Sequence, residues 1–356
     1  MKKKIIHTSH LLLALLIAGA CSEEDIPGDI PQKPEEPYTS HYYYSYEAGQ
    51  QLSAVDFALD EGEFTPGATY IKGDTLFVAN IQNGHYSLEL YDKKRKQHLV
   101  SLRSWKYGNT DQKFQSPIEA IGVSPANRLY VLSRETRIDV FALEDLNFIT
   151  RIGTGNWSDG VSGLFQAQAM AISPDGKIIV RTKREIAVYR EEDVTPEKYQ
   201  KVPFYCRSAA IGMDTNNGFN PHQMVQDSTG IVYLADYGQY GNRKIQAIDT
   251  ARIEKGDQKI LIDAEKTLGT SFNPCGIALH NDQIMVSASN GSIYIYDRTK
   301  KEWGNSFKSV NGYTFKKAEK LLIAGSSLWV SDTNAKKLIE VKIYKNEIRV
   351  FKIVVQ

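Results

Sequence analysis

Short apolar runs bounded by Gly, Asn, Asp or Pro recur along the chain from residue 66 to its end. The clearest is residues 230–236, which passes through polar residues 241–244 into a second run at 245–249. β-Branched and aromatic residues in such runs, punctuated by turn formers, predict strand, turn, strand. Aligning the middle of the best strand in each unit gives Val78, Val131, Val180, Leu234, Val286 and Val330, at spacings of 53, 49, 54, 52 and 44 residues. A following strand ends near Tyr91, Phe141, Tyr189, Ile248, Tyr296 and Ile343, at spacings of 50, 48, 59, 48 and 47. Two independent anchors share one period, so the repeat is sixfold.

Each unit also has an earlier strand and a later one. In the second unit the four are residues 118–123, 128–132, 137–142 and 147–152. Turn signals such as Ser124-Pro125-Ala126-Asn127 and Ser173-Pro174-Asp175-Gly176 separate the first two strands. Four strands per unit at this period predict an all-β chain, a six-bladed β-propeller of four-stranded antiparallel blades. The propeller spans residues 41–356, with repeats roughly over 66–115, 116–164, 165–219, 220–272, 273–312 and 313–356. Ahead of the repeats, residues 41–47 alternate with Tyr42, Tyr44 and Tyr46 on one face and read as a strand. Residues 53–59 read as a second short strand.

The first 21 residues read as an export signal rather than as structure. Lys2-Lys3-Lys4 is followed by an apolar run, residues 11–17, too short for a stable span. Ala18-Gly19-Ala20-Cys21 resembles the lipobox of bacterial lipoproteins, with Ala18 where that family carries a larger aliphatic residue. The resemblance implies a lipid on Cys21 and an outer-membrane anchor. Ser22, Glu23, Glu24 and Asp25 resemble the surface-export signal of lipoproteins in one group of Gram-negative anaerobes, which implies that the protein faces the cell exterior. Residues 22–40, with Pro27, Pro31, Pro34 and Pro37 among acidic and polar neighbours, bury no core and read as a disordered tether.

Charge narrows the partners. A net charge of +1 gives no general affinity for nucleic acid, and contact with the membrane is expected through the lipid. The basic run Lys93-Lys94-Arg95-Lys96 falls where a hairpin tip is expected and reads as a solvated turn.

Residues 232–236 with Gly241-Asn242-Arg243-Lys244-Ile245 are similar to the NHL repeat, and residues 328–334 are a second match. Asn220-Pro221 and Asn273-Pro274 resemble that family's blade-opening proline, while the third unit has Gln166-Ala167 there. The resemblance implies a six-bladed propeller of the NHL and TolB-like kind and says little about activity, because such folds host many functions.

In this architecture the first strand of each blade lines a central channel, and long loops gather on one face. The candidate binding face is Trp157, Asp159, Asn220, His222, Tyr237 and Tyr240, in which aromatics stand beside amide, acid or imidazole groups. Such groups suit sugar rings or peptides, and the alternative is that the aromatics fill seams between blades. Candidate channel residues are Glu119, Gln166, Gln168, Asn220, His222 and Asn273. Related six-bladed enzymes of the gluconolactonase and streptogramin lyase types bind a divalent metal at this place, which implies calcium for such oxygen ligands. Glu119 is the one acidic residue the pattern puts at the channel, and no cofactor is expected.

No nucleophile elbow, Walker loop or dinucleotide fingerprint is present, so no catalytic residue is assigned. Cys206 falls in an outer strand of the third unit and Cys275 in the opening strand of the fifth, positions expected to lie far apart. Asp74-Thr75-Leu76 and Asp249-Thr250-Ala251 resemble a short O-glycosylation acceptor of the same bacterial group. The reading is a non-catalytic, surface-anchored module that binds a glycan, a peptide or an outer-membrane partner protein. Two other readings stay open: a metal-dependent lyase or lactone hydrolase with its site in the channel, and a purely structural scaffold subunit.

Overall fold

The computed structural model describes residues 38–351 apart from 135–136, 155–163, 165–166, 183–184, 211–220, 237–243, 256–258 and 261–272. Among the described residues six sheets form the blades, and two two-stranded hairpins, Ser104–Tyr107 with Thr110–Lys113 and Ser309–Val310 with Tyr313–Thr314, lie outside them. Blade 1 is Pro66–Lys72, Thr75–Asn80, Ser87–Asp92 and Gln97–Leu102. Blade 2 is Ile118–Val123, Arg128–Ser133, Arg137–Ala142 and Phe148–Ile152. Blade 3 is Ala169–Ile172, Lys177–Arg181, Glu185–Arg190 and Cys206–Ala210, with Lys259–Ile260 added in parallel outside the last. Among the described residues blade 4 has three strands, Pro221–Gln226, Ile231–Asp236 and Lys244–Asp249. Blade 5 is Pro274–His280, Gln283–Ala288, Ile293–Asp297 and Glu302–Trp303.

Blade 6 is made from both ends of the chain. Ala318–Ala324, Ser327–Asp332 and Lys337–Phe351 are followed in the sheet by Tyr38–Leu52 as its outermost strand. Gln50 N donates to Glu340 and Asn346 Nδ2 donates to Ser45 Oγ, so one number rises as the other falls and the pairing is antiparallel. The first strands contact one another in the cycle blade 1, 2, 3, 4, 5, 6 and back to 1. The ring is closed, and the N-terminal strand fastens it. That strand's place was not predictable from the repeat.

This propeller unit is residues 44–346. A second, small unit is built from the chain ends, up to Tyr43 and from Glu347 onward. Within it Ser40 Oγ donates to Glu347 at 2.5 Å, and Tyr42, Tyr43, Ile348 and Val350 are exposed.

The repeat anchors explain the packing. Val78, Val131, Val180, Leu234, Val286 and Val330 all lie in second strands and are each 0% exposed. Apolar clusters sit between neighbouring blades, for example Phe77, Val131 and Phe141 between blades 1 and 2. Met285, Val330 and Ile339 hold blades 5 and 6 in the same way. Trp105 belongs to such a seam, 4.8 Å from Phe114 and 5.1 Å from Phe141 between ring centroids. The run 93–96 is the exposed turn of the last hairpin of blade 1, where Asp92 Oδ1 accepts from Lys94 N and Arg95 N.

The expected strand at 53–59 is instead a 3₁₀ turn, Ala54–Phe57. Ser53 N donates to Asp56 Oδ2 at 2.8 Å, and Ser53 Oγ donates to the same oxygen at 3.2 Å. This local side-chain bonding outcompetes the extended form. Leu52 and Phe57 still bury their side chains, against Phe64, Leu76 and Trp329.

Candidate functional site

One structural device repeats at the opening of the inner strands. The ladder with the second strand slips between Pro66 and Thr69, Ile118 and Ala120, Pro221 and Gln223, Pro274 and Ile277, and Ala318 and Lys320. Such bulges re-aim a side chain at the rim of a sheet. The residues inside them are Gly67 with Ala68 in blade 1, Glu119 in blade 2, His222 in blade 4, Cys275 with Gly276 in blade 5, and Glu319 in blade 6. In blades 1 and 6 a polar residue at the end of the second strand fixes the approach. In blade 6, Asp332 accepts from Lys316 N, Lys317 N and the Tyr313 hydroxyl, at 2.8, 2.9 and 2.9 Å. In blade 1, Asn80 Oδ1 accepts from Thr65 N and its Nδ2 donates to Glu63 O.

These bulges bring charged groups of alternate blades together at one mouth of the channel. Lys320, 4% exposed, reaches from blade 6 to the backbone carbonyl of His222 in blade 4 and to Glu119 Oε2 in blade 2, 3.5 Å away. Glu119 Oε1 is held in turn by Arg134 Nε at 2.5 Å. Glu319 accepts from the Thr333 hydroxyl at 2.8 Å and pairs with Lys317 at 3.1 Å, and its other oxygen lies 4.0 Å from His222 Nδ1. Just inside, Gln223 spans blades 4 to 6. Its Oε1 accepts from Ile277 N at 3.1 Å and Leu321 N at 2.9 Å, and its Nε2 donates to Leu321 O at 2.5 Å. Gly276 makes room for it, because a Cβ there would lie 3.0 Å from Gln223 Oε1 and 2.7 Å from Ser287 Oγ.

Burial, with Lys320 beside it, pushes the His222 imidazolium down to about 4. Burial would raise the Glu319 carboxyl, but Lys317, the Thr333 hydroxyl and Lys320 outweigh it and hold the group below its usual value. Burial pushes the Cys275 thiol up to about 12. His222 is therefore neutral at pH 7, and the carboxylates of the cluster stand against lysine or arginine. As arranged, the cluster is a cross-brace between blades 2, 4 and 6. It does not fit the calcium that the resemblance implies, because cations already cover both oxygens of Glu119 and an ammonium stands 3.5 Å from one of them. Among the described residues, no three His, Cys, Asp or Glu side chains are grouped to hold a metal ion.

Protonating His222 must cost folding energy. Its folded pKa is below its unfolded value, so stability is complete above about pH 6.5 and falls as pH drops from there towards 4. Glu319 acts in the same direction at lower pH. His222→Gln should retain roughly 2 kcal/mol that wild type loses between pH 7 and pH 4. Urea melts at pH 7 and pH 4 measure it, and parallel losses in both proteins would contradict this account of the mouth.

Of the expected channel residues, the structure brings Glu119 and His222 together through Lys320. Gln168 Oε1 and Asn273 Oδ1 are buried without a hydrogen-bond partner among the described residues. Cys21, Ser22, Glu23, Glu24, Asp25, Trp157, Asp159, Gln166, Asn220, Tyr237 and Tyr240 lie outside the described residues. Glu319, Lys320 and Gln223 are additions that the sequence reading did not make. A signal for Glu319 was present, since Ile118-Glu119 and Ala318-Glu319 occupy the same register in their blades. Cys206 and Cys275 are free thiols. Thr250, one of the two glycosylation-like threonines, is buried with its hydroxyl on Gly230 O, and Asp249 caps the short helix Thr250–Glu254.

No protein-family profile and no curated protein matches the chain. Among solved structures the chain is similar to the computationally designed Ika8 protein at 12% identity and a TM-score of 0.44, over 78% of this chain and 71% of that one.

Proposed function

We propose that the protein is a lipid-anchored module on the outer surface of the outer membrane, which binds a glycan, a peptide or a partner protein without catalysing a reaction. The lipobox-like Cys21 and the acidic residues after it support the anchor and its orientation. The NHL-like repeats support a binding propeller.

One observation carries the choice of face. The segment with Trp157 and Asp159 leaves blade 2 at Ile152 and enters blade 3 at Ala169, and that with Asn220 runs from Ala210 to Pro221. The segment with Tyr237 and Tyr240 joins Asp236 to Lys244, two positions that pair with each other opposite Pro221. All three therefore start and finish at the mouth that holds His222. They contain 16, 10 and 7 residues, where most connections need only a few.

Cys21→Ser should release the protein from membranes, since the acyl chains supply most of the binding. Fractionation with labelled fatty acid checks this, and a wild-type protein that takes up no label would remove the anchor. For the face, the full chain should be retained on a glycan or peptide array, and Tyr240→Ala should abolish that retention. Retention unaffected by Tyr240→Ala would place the contact elsewhere.

A further inference from the structure

A cavity of about 360 Å³ runs down the centre of the ring. At one end its lining stops at Glu119, Gln223 and Lys320, the side chains that cross the mouth. At the other it runs out to Pro174, Asp227 and Ser228, in turns between first and second strands. It therefore opens on the face opposite the mouth that holds His222. That opening has an apolar wall where the other mouth is charged: Tyr70, Ile172, Leu279 and Ile323 line it and are each partly exposed, and Asp227 there is paired with Arg298 at 2.9 Å.

Two facts bear on what this space accepts. Thr69 and Gln226 line it from blades 1 and 4, opposite each other in the ring. Thr69 Oγ1 and Gln226 Oε1 are buried and have no hydrogen-bond partner among the described residues, although Thr69 is only 8% exposed. Buried polar atoms in folded proteins are nearly always satisfied, by protein, water or ligand. Secondly, the inner strands turn one edge to the channel, and Gln223 shows how that edge is used. Its carboxamide both accepts from and donates to Leu321. A volume near 360 Å³ also falls in the range of small-molecule sites.

We infer that this channel is a second binding site, separate from the loop face, for a small neutral molecule with an apolar body and a carboxamide or hydroxyl group. The polar group pairs with Thr69 or Gln226 and the body lies against the apolar wall. A charged molecule is disfavoured, because the charges near the channel are already matched and a further ion would be desolvated without a partner.

The probe is 4-fluorobenzamide, titrated into the full chain and followed by fluorine NMR, with 4-fluorobenzoate as its charged isostere. The amide should saturate one site per chain and the benzoate should bind at least about tenfold more weakly. At least one of Thr69→Val and Gln226→Met, which remove the unpaired oxygens at nearly constant volume, should weaken the amide about tenfold. Circular dichroism melts establish that both variants fold. Failure of the amide to saturate, equal binding of the benzoate, or unchanged affinity in both folded variants would overturn the inference. None of these outcomes bears on retention at the loop face, so the two sites fail separately.

Discussion

Val180→Asp should destabilise the protein by about 4 kcal/mol or more, the largest loss expected from any single change considered. Val180 is 0% exposed in the second strand of blade 3, and its ladder partners are Met170 and Ala187. Its cluster, with Ile178, Val188 and Val232, is apolar. The aspartate must then be buried uncompensated or pulled out with its strand. Lys94→Asp, in the exposed turn of blade 1, should cost close to nothing. Thermal melts of the two variants should separate by on the order of 10 °C. Equal losses would mean that the second strands are not the packing centre of the blades.

Gln223→Leu should cost about 3 kcal/mol. The change removes one side chain but strands three backbone groups: Ile277 N, Leu321 N and Leu321 O. Leaving a buried donor or acceptor unpaired costs about 1–3 kcal/mol each, and channel water recovers part of that. Leucine fills the same volume, so the loss reads the polar brace and not a void. A melting temperature lowered by about 5–10 °C is expected. A change below about 1 °C would show that the ring is held by its seams alone.

The contrast between these two residues shows what the sequence could reveal. Val180 is visible because its burial comes from a periodic pattern: every blade needs an apolar residue at that point to face its neighbour. Gln223 is invisible for the opposite reason. Its partners are backbone groups 54 and 98 positions away, and any residue type would supply them. Glu319 lies between these cases, since its blade-opening register matches that of Glu119, but the lack of a proline before it hid the match. The 3₁₀ turn at Ala54–Phe57 was missed because its apolar positions also fit a strand; only the Ser53 to Asp56 bonding decides it. The outermost strand of blade 6 carries no mark of its sheet, because closing a ring is a property of the whole chain.

The cross-brace and the proposed binding residues predict separable effects. Lys320, Glu119, Glu319 and Gln223 hold alternate blades together, so variation there is expected in stability. Under the proposed function, variation at Trp157 and Tyr240 is expected in binding.

The most direct test compares Trp157→Ala with Gln223→Leu for melting and for retention on the array that holds wild type. Trp157→Ala should melt within about 1 °C of wild type and lose retention, while Gln223→Leu should melt early and still be retained at low temperature. If Trp157→Ala melts several degrees early and is retained as wild type is, the tryptophan fills a seam and the loop face is not the binding surface.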